Sequence, residues 1–352
     1  MPELDNAPPT SALCIDIGSL SQSAVLYRQG FAPCDMPRCV LPTAAQTLAR
    51  RIRQSTTAQR DIYLCGPPMG EEFKPSLTAH VREGCRAVLA PETAETLFGG
   101  SAAAEDAGMQ IADACPDGYT HLHTGDIDMA FWRELTRMLG MEMPPVLAVS
   151  AHDHGSFAPD SPEGNPMWFW RRVLRSSSSN GAGAGDFLLQ ACPPEMPRLH
   201  AVQSVTGGPV TLSGAAALLG VLASPEIAER SFRQGVVLVD AGSSHLTAFL
   251  VWQMRVYGVY VHHTQSLNPA QVANDLAEFR LGWLPDEEVQ NMGGHGSVIL
   301  ELPPEAEGFA PTYITGRERT MLQGQGKMVD SFEDASLSGC FGLLHGLGMM
   351  GQ

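Results

Sequence analysis

Apolar positions in the first forty residues fall into three short runs, "LCIDIG", "SAVLYRQG" and "RCVLP", separated by small and polar residues. That pattern predicts a meander of three strands joined by tight turns. The period then changes. In "PTAAQTLARRIRQ" apolar residues recur at helical spacing behind Pro42 and Thr43, both helix-start signals. Strands "DIYLCG" and "CRAVLA" alternate with helices "SLTAHVREG" and "SAAAEDAGM". The amphipathic helix "DMAFWRELTRMLG" leads to "PPVLAVSAHDHG", whose Pro-bounded apolar centre reads as a buried strand. Strands alternating with helices indicate an α/β chain.

Residues 155–200 break this rhythm. "NPMWFWRRVL" reads as a helix packed on the body, and "RSSSSNGAGAGD" as a flexible loop by its Gly and Ser content. The pattern resumes with the small-residue helix "TLSGAAALLGVLAS" and a second strand meander, "GVVLVDAGSSHLTAFLVWQMRVYGVYVHHT". After it come the helix "NPAQVANDLAEFRLG", an acidic turn "LPDEEVQNMGGHG", strands "SVILEL" and "TYITG", and a helix from Arg317. The closing helix "ASLSGCFGLLHGLG" places Ser338, Gly339, Gly342 and Gly346 on neighbouring faces, which permits close approach of a backbone or a flat ligand.

The second meander echoes the first. "CIDIGSLSQSAVLY" and "LVDAGSSHLTAFLV" align without gaps on Asp16 with Asp240, Gly18 with Gly242 and Ser19 with Ser243. Two domains built on one strand-turn-strand unit would produce this. A carboxylate ending a buried strand, followed by Gly and Ser, suits a magnesium phosphate site. The acid holds the hydrated cation, glycine removes a side chain that would bar phosphate, and the turn supplies N–H and hydroxyl donors. A single such turn reads equally as a hairpin whose Asp or Ser caps the bend. Two of them facing each other would clamp a triphosphate, and a third turn, "YITGRER", could receive base and ribose.

These stretches resemble the actin, sugar kinase and heat-shock-protein-70 ATPase superfamily. "CIDIGSLSQSAVLY" is similar to its first phosphate motif, "LVDAGSSHLTAFLV" to its second, "YITGRERTML" to its adenosine motif, and "SGAAALLGVL" and "ASLSGCFGLLHGL" to its two connecting helices. "VSAHDHG", "VYVHHT", "GGHG" and "LSGCFGLL", with the first motif, further resemble an uncharacterised actin-like family from anaerobes. Some members of that family are labelled pyruvate formate-lyase activating enzyme-like. The resemblance implies two ribonuclease-H-like (actin-like ATPase) domains with mixed sheets flanked by helices and a nucleotide cleft between them. The expected domains are 1–212, with a flexible insertion near 155–200, and 213–352. ATP and Mg2+ are the implied cofactors. Asp16 and Asp240 would hold Mg2+ through water. Gly18, Ser19, Ser21, Gly242, Ser243 and Ser244 would hold phosphates, with Gly339 on the closing helix beside them, and Thr315, Gly316 and Arg317 would lie near the nucleoside.

Two departures matter. Ser19-Leu20-Ser21 stands where relatives often have two adjacent small or hydroxyl residues, and Ser243-Ser244 where they often have a further glycine. ATP-hydrolysing relatives often carry a carboxylate or amide on the first connecting helix, where "TLSGAAA" offers Ser213, a weak base at neutral pH.

Charge and cysteine usage narrow the partners. The 352 residues carry 38 acidic against 22 basic side chains, a formal charge of −16, which repels nucleic acid and anionic membrane surfaces. No run approaches 18 apolar residues, and "MPELDNAPPT" lacks signal-peptide features, so a cytoplasmic location is expected. A radical S-adenosylmethionine activase needs cysteines spaced CxxxCxxC, and none of the eight has that spacing.

Histidines recur in "HLHTGDID", "SAHDHG", "VHHT" and "GGHG", and His245 follows the second turn. His and Asp clusters of this kind are metal ligands in some proteins and hydrogen-bonded cores or exposed loops in others. "VSAHDHG" ends a buried strand, where α/β proteins place ligand groups, and Asp153 or His154 is the candidate base toward a substrate hydroxyl. The expected function is an ATP-binding protein acting as Mg-ATP-dependent ATPase or phosphotransferase on a small molecule or a partner protein, with "NPMWFW" as the apolar partner patch. The alternatives are a metal-dependent hydrolase built on the histidines and a non-catalytic, nucleotide-dependent scaffold.

Overall fold

The computed structural model describes residues 10–156, 166–177, 180–330 and 334–350. The chain opens with β1 (Ser11–Ile17), β2 (Ser21–Arg28) and β3 (Arg38–Pro42), an antiparallel meander in which Asp16 pairs with Ser23. Thr43 caps α1 (Ala44–Thr57) by accepting the Gln46 N–H at 3.1 Å. The chain then leaves this sheet to build a separate parallel one from β4 (Ile62–Cys65), β5 (Ala87–Leu89), β6 (Gln110–Ile111) and β7 (Thr120–His123) in the order β6-β5-β4-β7. Helices α2 (Lys74–Arg82), α3 (Pro91–Phe98) and α4 (Ser101–Asp106) connect these strands, and Ile52, Leu64, Phe73, Leu77 and Leu122 form a core of their own. From α5 (Met129–Met138) the chain returns as β8 (Val146–Ala151), parallel to β1 with Ser150 beside Asp16. Helices α6 (Trp168–Ser176) and α7 (Pro197–Thr206) precede β9 (Val210–Leu212), giving a sheet ordered β3-β2-β1-β8-β9.

The second half repeats the plan. After α8 (Ser213–Leu222) and α9 (Pro225–Arg233) come β10 (Val236–Ala241), β11 (His245–Trp252) and β12 (Arg255–His263), another antiparallel meander, with Asp240 paired to Thr247. Helices α10 (Pro269–Arg280) and α11 (Asp286–Asn291) lead to β13 (Gly296–Ile299) on the edge beyond β12. Then β14 (Thr312–Thr315) lies parallel to β10 with Thr315 beside Asp240, followed by β15 (Lys327–Met328) and the last helix, α12 (Ser338–Gly346). The sheet order is β13-β12-β11-β10-β14-β15. Outward from β1 and from β10 the pattern is alike, with an antiparallel series on one side, two strands in the first sheet and three in the second, and parallel strands on the other. This is the two-domain, ribonuclease-H-like arrangement of actin-like ATPases, reached here from strand order and direction alone.

The small-residue helices α8 and α12 cross against each other beside β1 and β10. A Cβ on Gly220 would collide with the Ser338 carbonyl, and one on Gly342 with that of Ala216, so the two backbones are in contact.

Several elements differ from the sequence expectation. The acidic turn is α11, started by Pro285 with Asp286, Glu287 and Glu288 in its first turn, where they complement the helix dipole. The helix expected from Arg317 is a single 3-10 turn, Arg319–Leu322. "NPMWFW" is not an exposed patch, because Met167, Phe169 and Trp170 are buried in the main core, the two aromatics packing with Phe187. Of the expected flexible insertion, residues 157–165 and 178–179 lie outside the described residues. The stretch 182–189 is packed, with Ala182 donating to the Val256 carbonyl at 2.8 Å and Phe187 fully buried.

Candidate functional site

The two Gly-Ser turns have one geometry. Gly18 N–H donates to the Ser21 carbonyl at 3.0 Å, and Gly242 N–H to the His245 carbonyl at 3.0 Å. Strand pairing brings the turns to the same end of their sheets, and the domains bring them together, with Ser19 Oγ and Ser243 Oγ hydrogen-bonded at 2.9 Å. Below each turn lies its acid. Asp16 Oδ1 accepts the Ser150 hydroxyl at 2.7 Å, and the Ser213 hydroxyl at the start of α8 lies near this carboxylate. Burial raises its pKa, and the two hydroxyls oppose that rise. Asp240 is pushed up to about 7, first by burial and second by the negative charge of Asp16. Neither acid has a Lys or Arg partner among the described residues.

Both connecting helices begin here. Ser213 also donates to the Ile17 carbonyl at 3.2 Å, and a Cβ at Gly339, in the first turn of α12, would fall on the Asp16 carboxylate. Two helix N-termini directed at one place favour negative charge there. Thr315 and Gly316 press against Asp240, and the Thr315 hydroxyl is buried with no partner. Gly316 has φ of +96° and approaches the Ala241 carbonyl so closely that a Cβ would sit 2.5 Å from it. Arg317 projects outward with 64% of its side chain exposed.

Asp153, read from the sequence as a base, is engaged on both oxygens. Oδ1 accepts Gly155 N–H at 2.8 Å and Oδ2 accepts Leu199 N–H at 2.9 Å, in the first turn of α7. It therefore caps α7 and fixes the loop after β8 instead of facing the turns as a base. Arg198 fixes the same loop, donating to the His152 carbonyl at 2.9 Å while pairing with buried Asp126 at 2.7 Å.

That loop carries His152 and His154 to three histidines of the second domain. His245 opens β11 and pairs across the strands with His263 at the end of β12, and His295 precedes β13. Nε2 of His152 and His154 are 3.1 Å apart, and those of His263 and His295 are 3.2 Å apart. His245 lies between the pairs, stacked on His152 with ring centroids 4.0 Å apart and 4.8 Å from both His263 and His295. The sequence names these residues in separate motifs without assembling them. The available signal is that His245 stands at the copy of Ser21. The other histidines take different places: His121 and His123 face Cys65 in the four-stranded sheet, and His262 Nδ1 lies 3.2 Å from the His263 carbonyl.

Residues 69–321, more than two thirds of the chain, match the sequence model of a family described as "Putative pyruvate format-lyase activating enzyme (DUF1786)". The chain belongs to this family. The matched span holds the second turn and all five clustered histidines, while Asp16 precedes it. No curated protein matches the chain. Among solved structures, it is similar to a Bacteroides thetaiotaomicron protein of actin-like ATPase fold and unknown function, at 6% identity over 95% of this chain and 96% of that one, TM-score 0.37. It is also similar to an inorganic polyphosphate/ATP-glucomannokinase from Arthrobacter sp., at 11% identity over 97% and 100%, TM-score 0.36. A third is the ethanolamine utilization protein EutJ of Carboxydothermus hydrogenoformans, at 10% identity over 99% and 92%, TM-score 0.29. Among the described residues no helix is long and apolar enough to cross a membrane.

Proposed function

We propose that this family member binds Mg-ATP between its two Gly-Ser turns and couples that binding to closure of its two domains. The observation that carries the reading is the pair of acids, Asp16 and Asp240, each half-buried and without a Lys or Arg partner among the described residues, beneath matched turns. Like charges at such a place are stabilised by a cation, and a hydrated magnesium ion with phosphate oxygens supplies the complementary set. The residues fit the group. Gly339 and Gly316 leave no Cβ over either carboxylate, the Thr315 and Ser338 hydroxyls are buried without partners, and two helices begin at the site. Asp16 and Asp240 would hold the ion's water shell, and bound magnesium would neutralise phosphate charge. Ser19, Ser243 and the turn N–H groups would orient the phosphates, with Ser21 and Ser244 flanking them, and the Ser19–Ser243 bond would give way to these contacts.

Ser213 stands where hydrolysing relatives place a base, and its hydroxyl already donates to the Ile17 carbonyl. This favours slow turnover whose purpose is the closed state, with a small molecule or a partner protein as the recipient of phosphoryl group or motion. Thermal unfolding with and without Mg-ATP tests the reading. Ligand at 100 times its dissociation constant stabilises the wild type by about 2.7 kcal/mol, a shift absent from Asp16→Ala and Asp240→Ala. An unchanged wild-type midpoint at saturating Mg-ATP overturns it.

A further inference from the structure

Five imidazoles gathered from two domains need an explanation that packing does not supply. His152, His154 and His245 offer ligand nitrogens within 4.8 Å of one another, and so do His245, His263 and His295. His245 belongs to both groups, and neither of its ring nitrogens, both buried, has a hydrogen-bond partner. An unsatisfied buried nitrogen costs about 1–3 kcal/mol, and His245 has two. The spacings within the pairs are those of ligands sharing an ion. Two nitrogens roughly 2.0–2.1 Å from one metal, at tetrahedral to right angles, lie about 3 Å apart. The observed separations are 3.1 and 3.2 Å.

We infer that His152 and His154 of the first domain, with His245, His263 and His295 of the second, form an all-imidazole centre for a late first-row transition-metal cation, and that His245 is its shared ligand. Neither group contains a carboxylate or thiolate, so the chemistry selects against magnesium and calcium, which require oxygen, and against iron–sulfur clusters, which require thiolates. The Asp153 cap on α7 and the Arg198 contact to the His152 carbonyl hold the first-domain ligands in place, while cross-strand pairing holds His245 against His263. The centre thus fastens the two domains at the edge of the cleft, three residues past Gly242. It does not depend on the nucleotide reading.

The test uses the full chain made without a polyhistidine tag, stripped with chelator and titrated with Co2+, then challenged with Zn2+. Visible d–d absorption saturating at one or two Co2+ per chain, and its loss to Zn2+, is the expected result. His245→Ala abolishes the absorption. Ser21→Ala, the same position in the other domain, and Asp240→Ala retain it. His154→Ala, at an exposed ligand where folding is not at risk, weakens cobalt affinity roughly tenfold or more. Absence of Co2+ and Zn2+ binding by the wild type, or undiminished binding by both histidine variants, overturns the proposal. Retained cobalt absorption without an Mg-ATP shift would overturn the nucleotide reading alone, and the reverse pattern this one alone.

Discussion

The Asp16 turn and the Asp240 turn share a backbone and have diverged around it. Each position in one has its counterpart 224 residues later, and the Ser19–Ser243 hydrogen bond joins two such counterparts. Around Asp16 the neighbours are hydroxyls, Ser150 from β8, which donates to it, and Ser213 from α8 close by. Around Asp240 the equivalent of Ser150 is Thr315, whose hydroxyl has no partner, and the acid is driven up to about 7. Where the first turn ends in Ser21, the second ends in His245. The first domain thus holds an acid whose upward shift hydroxyls oppose, and the second an acid without such a partner, beside an imidazole suited to a late first-row transition-metal cation. A duplicated hairpin has been specialised by its neighbours, with its own geometry left alone.

The strongest way to break this comparison is at Gly316, whose counterpart is Ala151. A Cβ is accepted in the first domain, whereas Gly316→Ala meets the Ala241 carbonyl and Asp240 Oδ1 at 2.5 Å with φ at +96°. Strain and overlap together should cost about 3 kcal/mol, read by urea denaturation. A loss below half of that would mean the two parallel strands present their acids alike.

Next in size are the acids. In ligand-free protein at pH 8, Asp240→Asn should stabilise by on the order of 1–3 kcal/mol, since it removes an ionised group whose folded pKa is raised. Asp16→Asn should stabilise less, because the hydroxyls oppose the rise in its pKa and the substitution takes the charged acceptor away from Ser150. The sign of the pH effect follows. Asp240 keeps its proton in the folded state up to about 7 but loses it near 3.8 when unfolded, so wild-type stability falls as pH rises through that window. Asp240→Asn should flatten the fall. Equal responses of the two variants would erase the distinction drawn here.

The smallest effect is at the contact between the turns. Ser19→Ala and Ser243→Ala should each cost about 0.5–1.5 kcal/mol, and the double variant little more than either alone, because one shared bond is lost. Full additivity would separate the turns energetically.

The turns were legible in the sequence because two fourteen-residue segments align without a gap and the acid, glycine and serine carry the pattern locally. The strand meanders and α8 were legible for the same reason. Helices α7 and α9 were not, although each begins at a proline, because their apolar positions are sparse and neither has a side-chain capping bond at its start. "NPMWFW" reads both as part of a helix packed on the body and as a partner patch; its burial decides for the first, through Phe187 arriving from beyond the Gly/Ser stretch. The histidine cluster was least legible. Its members run from His152 to His295, and their meeting depends on the register of β11 with β12, on where β13 begins and on contact between two domains. No local pattern encodes those. Asp153 shows the converse error, since an acid ending a buried strand looks the same in sequence whether it faces a substrate or caps a helix.

The crossing of α8 and α12 has a mechanical consequence. Interlocked side chains act as gear teeth that must unmesh before two bodies can rotate. At Gly220 and Gly342 peptide groups lie against peptide groups, leaving a smooth bearing in their place. On the proposed reading, closure of the cleft would pivot there, with the serine and histidine contacts at its rim serving as latches.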